Sequence, residues 1–236
     1  ESRFNIDRIS FMVKRRGIWI IMRVFITFLL LIFSLQSWTK ADDIRDFQIE
    51  GMSIGDSLFN FYSKDEIEDA LQLTQYPASD KFIIYTFRNE KRFEIYEAIT
   101  VDVKKIDSNY KIHSISGVID YTDNIGECYL LMETIALEFK EIFKNSKEFK
   151  VESSKLQYDK SGKSYQRYHS FDLPNGDRAS LECNDWSDEV PRLSDAIMVS
   201  IMTAEYSHFL DMEAYWLIMW ERVIYEGIYY SSNFNL

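Results

Sequence analysis

Two cysteines, three histidines, three prolines and eight glycines are all that this chain of 236 residues holds of those four types. So little Pro and Gly, beside 46% hydrophobic and 16% aromatic residues, excludes collagen, low-complexity linker and disordered acidic tail. Two Cys, and three His with no i, i+4 pair among them, make no zinc signature. No Asp-x-Asp-x-Asp-Gly calcium loop occurs either. Positive charge is scarce, with 27 Lys and Arg against 38 Asp and Glu. The length suits one domain, or at most two, with a core that needs neither metal nor several disulfides.

What is present begins with an export pattern. Lys14, Arg15, Arg16 and Arg23 precede an apolar run from Val24 to Phe33, about the length of a signal-peptide h-region and too short to span a bilayer comfortably. Thr39-Lys40-Ala41 then places small residues where a signal peptidase reads, so residues 1–41 are expected to be a signal peptide cleaved after Ala41. The first residue is Glu1, and Met12 or Met22 is an alternative start; from Met22 the signal is compact. A rival reading joins Gly17-Ile18-Trp19-Ile20-Ile21 to the later run as an uncleaved anchor of about 17 residues, interrupted by Arg23 at a cost of a few kcal/mol.

Residues 1–41 carry seven basic and two acidic side chains, which leaves 20 basic and 36 acidic in the remaining 195 and a net charge near −16. Such a surface repels phosphate backbones and anionic headgroups, so nucleic acid is excluded as an expected partner. A small molecule, a cation or a protein remains open, and no cofactor is expected. Cys128 and Cys183 both fall in the exported part, where an oxidising compartment favours a disulfide. It would close a loop of about 55 residues and stabilise by about 3–4 kcal/mol on the chain-entropy model; the alternatives are two buried free thiols or a reactive cysteine, although no His or Lys stands close to either in sequence to activate it.

Element signals give an order α-α, β-β-β, long α, β-β-β, α. Residues 42–52 read as an entry segment or short strand. Ser53 with Asp56, and Ser63 with Glu66, resemble capping boxes that open short helices. Runs 82–88, 92–104 and 110–120 read as a meander. From Asp123, residues Ile125, Cys128, Met132, Ile135, Phe139 and Ile142 form one apolar stripe on a helix of about 20 residues. The Lys-, Ser- and Glu-rich stretch 144–163 reads as a flexible loop. Ser164–Leu173 and Arg178–Asn184 flank Asn175-Gly176, a hairpin signal; a strand Ala196–Met202 and a helix from Thr203 follow. The expected fold is α+β: two three-stranded antiparallel meanders packed by one long helix plus short helices and stapled by Cys128–Cys183. Residues 42–213 form its single domain, and 214–236 an aromatic C-terminal helix or tail. That tail carries Trp216, Trp220, Val223, Ile224 and Ile228 at helical spacing, and Glu221, Arg222 and Glu226 argue against a membrane span.

Several motifs suggest chemistry. Gly55-Asp56-Ser57-Leu58 spells the block of the GDSL esterases, which makes Ser57 a candidate nucleophile. The family's late Asp-x-x-His block is missing: Glu205 stands three residues before His208, and Tyr110 and Gln166 stand before His113 and His169. Gly162-Lys163-Ser164 has Gln157 where a P-loop needs its first Gly. Asp185, Trp186 and Asp188, joined by Trp216 and Trp220, form the candidate binding surface; no catalytic, cofactor or metal residue is assigned.

The strings Phe47-Gln-Ile-Glu-Gly-Met-Ser-Ile-Gly-Asp-Ser-Leu58, His113-Ser-Ile-Ser-Gly-Val-Ile-Asp-Tyr121, Glu127-Cys-Tyr129, Asp159-Lys-Ser-Gly-Lys-Ser164 and Cys183-Asn-Asp-Trp186 together resemble a group of short, uncharacterised exported proteins of marine bacteria. The likeness runs from about residue 42 to 215. It implies a signal peptide and the Cys128–Cys183 pairing, makes Ile54-Gly-Asp-Ser-Leu58 structural, and brings no activity with it. The expected function is therefore a non-enzymatic envelope or ligand-binding protein, periplasmic or secreted, with a Ser57 esterase as the alternative.

Overall fold

Among the described residues seven strands form: β1 (Phe82–Arg88), β2 (Ala98–Lys104), β3 (Ile112–Asp120), β4 (Lys147–Lys155), β5 (Tyr165–Asp172), β6 (Arg178–Asp185) and β7 (Ala196–Met202). In the computed structural model they form one antiparallel sheet in the order β1-β2-β3-β7-β6-β5-β4. Among the described residues three α-helices accompany it, α1 (Lys64–Asp69), α2 (Ile125–Ile142) and α3 (Ala204–Met212). The structure describes residues 44–70, 76–88, 90–121, 124–156, 159–190 and 193–215; the expected signal peptide 1–41 and the tail from Trp216 onward lie outside them. Among the described residues no helix is long and apolar enough to cross a membrane.

The expected meanders are not separate units. They fuse where β3 meets β7, paired from Ser114↔Met202 to Asp120↔Ala196. The second one also gains a strand, because residues 147–155, expected as part of a flexible loop, are β4, paired with β5 from Lys147↔Asp172 to Lys155↔Tyr165. The charges that suggested a loop belong to an edge strand, where Lys and Glu discourage pairing with another chain. Three other expectations shift. Residues 92–97 form turns, and β2 begins at Ala98. The entry segment is a 3-10 turn at Ile44–Asp46 followed by an isolated Ile49↔Met52 bridge. Ser53 opens no α-helix: its hydroxyl donates to the Phe47 carbonyl, and a 3-10 turn, Leu58–Asn60, is capped by Ser57 instead.

Other local signals act as the chemistry dictates. Ser63 and Glu66 complete a reciprocal capping box at α1. Thr203 caps α3 by accepting from the Tyr206 amide. Gly176, at φ +88°, turns β5 into β6, a conformation that glycine adopts without steric cost. Cys128 of α2 and Cys183 of β6 are joined in a disulfide, with 6.1 Å between their Cα atoms.

Strand alternation gives the sheet two different faces. One carries Ile99, Val101, Ile115, Ala179, Leu181, Cys183, Ile197, Val199 and Ile201, all buried. These side chains share one core cluster with Cys128, Met132, Ile135, Ala136 and Phe139 of α2 and with Ile44, Met52, Leu58, Tyr62 and Ile67. The opposite face, called the polar face below, mixes a row of Ser and Thr with apolar side chains such as Phe82, Met198 and Met202.

Candidate functional site

Following the register across the polar face finds one hydroxyl per strand. Thr86 of β1 opposes Thr100 of β2, Thr100 opposes Ser116 of β3, and Ser116 opposes Ser200 of β7. Ser200 then opposes Ser180 of β6, and Ser180 opposes Ser170 of β5. The row crosses six strands, about 24 Å at ordinary inter-strand spacing. Thr86, Ser116, Ser170, Ser180 and Ser200 in it are buried. Ser200 donates to Ser116 at 2.7 Å, whereas the Thr86 and Ser180 hydroxyls have no hydrogen-bond partner. A buried polar group left unpaired costs about 1–3 kcal/mol, so each such atom calls for a reason.

The next positions along β5 and β6 continue the pattern. Gln166 Nε2 donates to Glu182 Oε2 at 2.9 Å, and the Asn184 amide also hydrogen-bonds the Glu182 carboxyl. Burial raises the Glu182 pKa against those two bonds, which pull it down. Asn184 Oδ1 is buried without a donor. Ser180, Glu182 and Asn184 alternate along one strand, so they share the polar face with Gln166 and Tyr168. The patch combines an idle acceptor, an idle hydroxyl and a carboxyl of raised pKa; it suits a ligand rich in O–H or N–H donors.

The sequence-predicted binding residues are placed differently. Asp185 ends β6 opposite Tyr165, and the Trp186 amide donates to Asp195 Oδ1 at 2.7 Å. Asp188 is exposed in the following turn. Burial raises the Asp195 pKa, with Asp185 and Asp188 adding to the rise. These acidic groups surround one turn, and Trp216 and Trp220 lie outside the described residues. Among the described residues no group of three His, Cys, Asp or Glu side chains could hold a metal ion.

Ser57 is engaged as a cap. Its hydroxyl donates to the Asn109 carbonyl at 2.6 Å and accepts from the Phe59 amide at 3.2 Å. Two histidines have partners of their own, with His113 Nδ1 3.3 Å from Thr203 Oγ1 and His169 Nε2 3.3 Å from Glu148, and His208 is exposed. The Gly162-Lys163-Ser164 string closes a turn on Asp159, which accepts from Ser161, Lys163 and Ser164. Those bonds, chiefly the Ser161 and Ser164 hydroxyls, hold the Asp159 carboxyl well below the usual range.

Sequence reasoning missed the hydroxyl row. Its local trace is a Ser or Thr inside each apolar strand, which becomes a row only when the cross-strand register is known. Comparisons with protein-family models, curated proteins and solved structures give no match.

Proposed function

We propose that residues 42–213 are the mature domain of an exported, non-enzymatic envelope protein, periplasmic or secreted, that binds a hydrogen-bonding ligand on the β5–β6 half of its polar face. The observation that carries this reading is the pair of buried atoms without partners, Ser180 Oγ and Asn184 Oδ1, beside the Gln166–Glu182 bond. The disulfide supports export, because such bonds persist in oxidising compartments. In this reading α2 covers the apolar face, with Phe139 edge-on to Phe171 at 5.7 Å, α3 packs on Phe82 and Met202 of the opposite face, and the β5–β6 half of that face is left to the ligand. The ligand is neutral or cationic and rich in donors, in keeping with the net negative charge.

The full chain, expressed with export, tests this by mass spectrometry. The denatured mass is expected to fit cleavage after Ala41 with two hydrogens missing. The native mass is expected to exceed it by a small molecule that Ser180→Ala and Asn184→Leu release. A bare native mass, together with a Ser180→Ala variant as stable as the parent or more so, would make the polar face purely structural, since removing an idle buried hydroxyl costs little.

A further inference from the structure

A second hydrophobic cluster, separate from the main core, joins Tyr76, Phe82, Met202, Tyr206, Phe209 and Ala214. Its rings meet edge to face, Tyr76–Phe209 at 4.9 Å and Phe82–Tyr206 at 5.0 Å. The cluster ties α3 and the segment 76–82 to the sheet. Beneath it lies Asp102 of β2, 4% exposed. The Tyr76 hydroxyl donates to Asp102 Oδ1 at 2.8 Å. Tyr206 and Ser114 also hydrogen-bond the carboxyl, and the two tyrosine hydroxyls touch each other. One buried carboxyl is thus the shared anchor of three elements.

The charged groups around it are engaged with one another. Lys81, just before β1, pairs with Glu205 and Glu213. Lys104 of β2 pairs with Glu205 of α3 at 2.7 Å. His113 of β3, the residue that the β2–β3 register skips, has its Nδ1 3.9 Å from Glu205. Arg178 of β6 pairs with Asp172 and Asp211. Asp102 itself is held by neutral hydroxyls, which leave the cost of burying its charge largely unmet.

We propose that Asp102, Tyr76 and Tyr206 form a proton-operated clasp: protonation of the Asp102 carboxyl tightens the docking of α3 and the 76–82 segment on the sheet, and deprotonation loosens it. Burial pushes the Asp102 pKa up to about 6, with the three hydroxyl donors pulling against that rise. Because this folded-state value lies above the ordinary 3.8, the favourable contribution is fully present below 3.8 and is lost as pH rises through 6. His113 acts in the opposite sense. Burial and then Lys104 lower its pKa below 6.5, so its contribution is present above 6.5 and is lost as pH falls.

Hydrogen exchange on the full chain separates the two groups. With His113→Gln removing one opposing titration, and Glu205, whose carboxyl Lys104 holds below its ordinary value of 4.5, staying charged over most of the range, the opening equilibrium of amides in 76–82 and α3 should rise by about 100-fold between pH 4 and pH 7, corresponding to about two pKa units. Amides of the central strands serve as the reference. Adding Asp102→Asn should abolish the rise; a rise that survives, or its absence from His113→Gln alone, overturns the clasp. Tyr206→Phe provides a check that keeps Asp102 in place: it removes one donor and should move the midpoint to higher pH, and an unmoved midpoint likewise counts against the proposal.

Discussion

Gly117 on β3 shows how one hydrogen atom's worth of side chain can decide a local packing. A Cβ built there would lie 2.4 Å from two carbons of the Tyr96 ring, a distance that real contacts do not reach. Tyr96 is held in place through its own backbone: the Glu50 carboxylate accepts from the amides of Glu94, Ile95 and Tyr96 at 2.9, 2.7 and 3.1 Å. The ring's Cγ, nearest that fixed backbone, would itself lie 2.6 Å from the added Cβ, so turning the ring about its own axis does not relieve the clash. Gly117→Ala should destabilise by about 1–3 kcal/mol in denaturant unfolding, the usual cost of overpacking. Tyr96→Ala in the same chain should recover most of that loss, and additive losses would show that the two positions do not press on each other. None of this was legible in the sequence, where Gly117 and Tyr96 stand 21 positions apart and neither belongs to a turn signal. Ser63 and Glu66 were legible, because a capping box needs only neighbours along the chain.

At the scale of elements the same division holds. The 3.6-residue stripe from Ile125 to Ile142 marked α2 within a few residues, and Asn175-Gly176 marked the β5–β6 turn. β4 was misread because its pattern, Lys-Glu-Phe-Lys-Val-Glu-Ser-Ser-Lys, has too few apolar residues to signal a strand; its pairing comes from β5, not from its own composition. The charges have a role of their own. Lys150 pairs with Glu133 of α2 at 2.9 Å and with its strand neighbour Glu152 at 3.0 Å. Phe149, 55% exposed, already offers one apolar residue on this edge. Lys150→Val with Glu152→Val should convert the edge into a template for pairing between molecules. Light scattering at neutral pH should then show dimers or larger species that the parent does not form. A strictly monomeric double variant would mean that twist or neighbouring segments protect the edge without those charges.

For the whole molecule, the longest covalent constraint is the disulfide that spans 55 positions. It crosses from α2 to β6, so it encloses the β4–β5 hairpin and half of the polar face within one loop. The pairing was legible because only two cysteines exist and export was expected; the sheet's fusion at β3–β7 was not, since no local signal says which strands of two meanders will meet. Closing a loop of that size limits the unfolded chain by about 3–4 kcal/mol on the entropy model. Against a total stability of about 5–15 kcal/mol for such a domain, that is a large fraction. Cys128→Ala with Cys183→Ala should therefore lower the unfolding free energy by about that amount, lower the denaturant midpoint with it, and raise the m-value, because the unfolded chain exposes more surface once the loop is open. Both cysteines are fully buried, so a mild thiol reductant should act on the parent only as fast as the domain opens. Its reduction rate should fall as stability rises, and rapid reduction under native conditions would mean that α2 leaves the sheet on its own, with the disulfide and not the core holding it there.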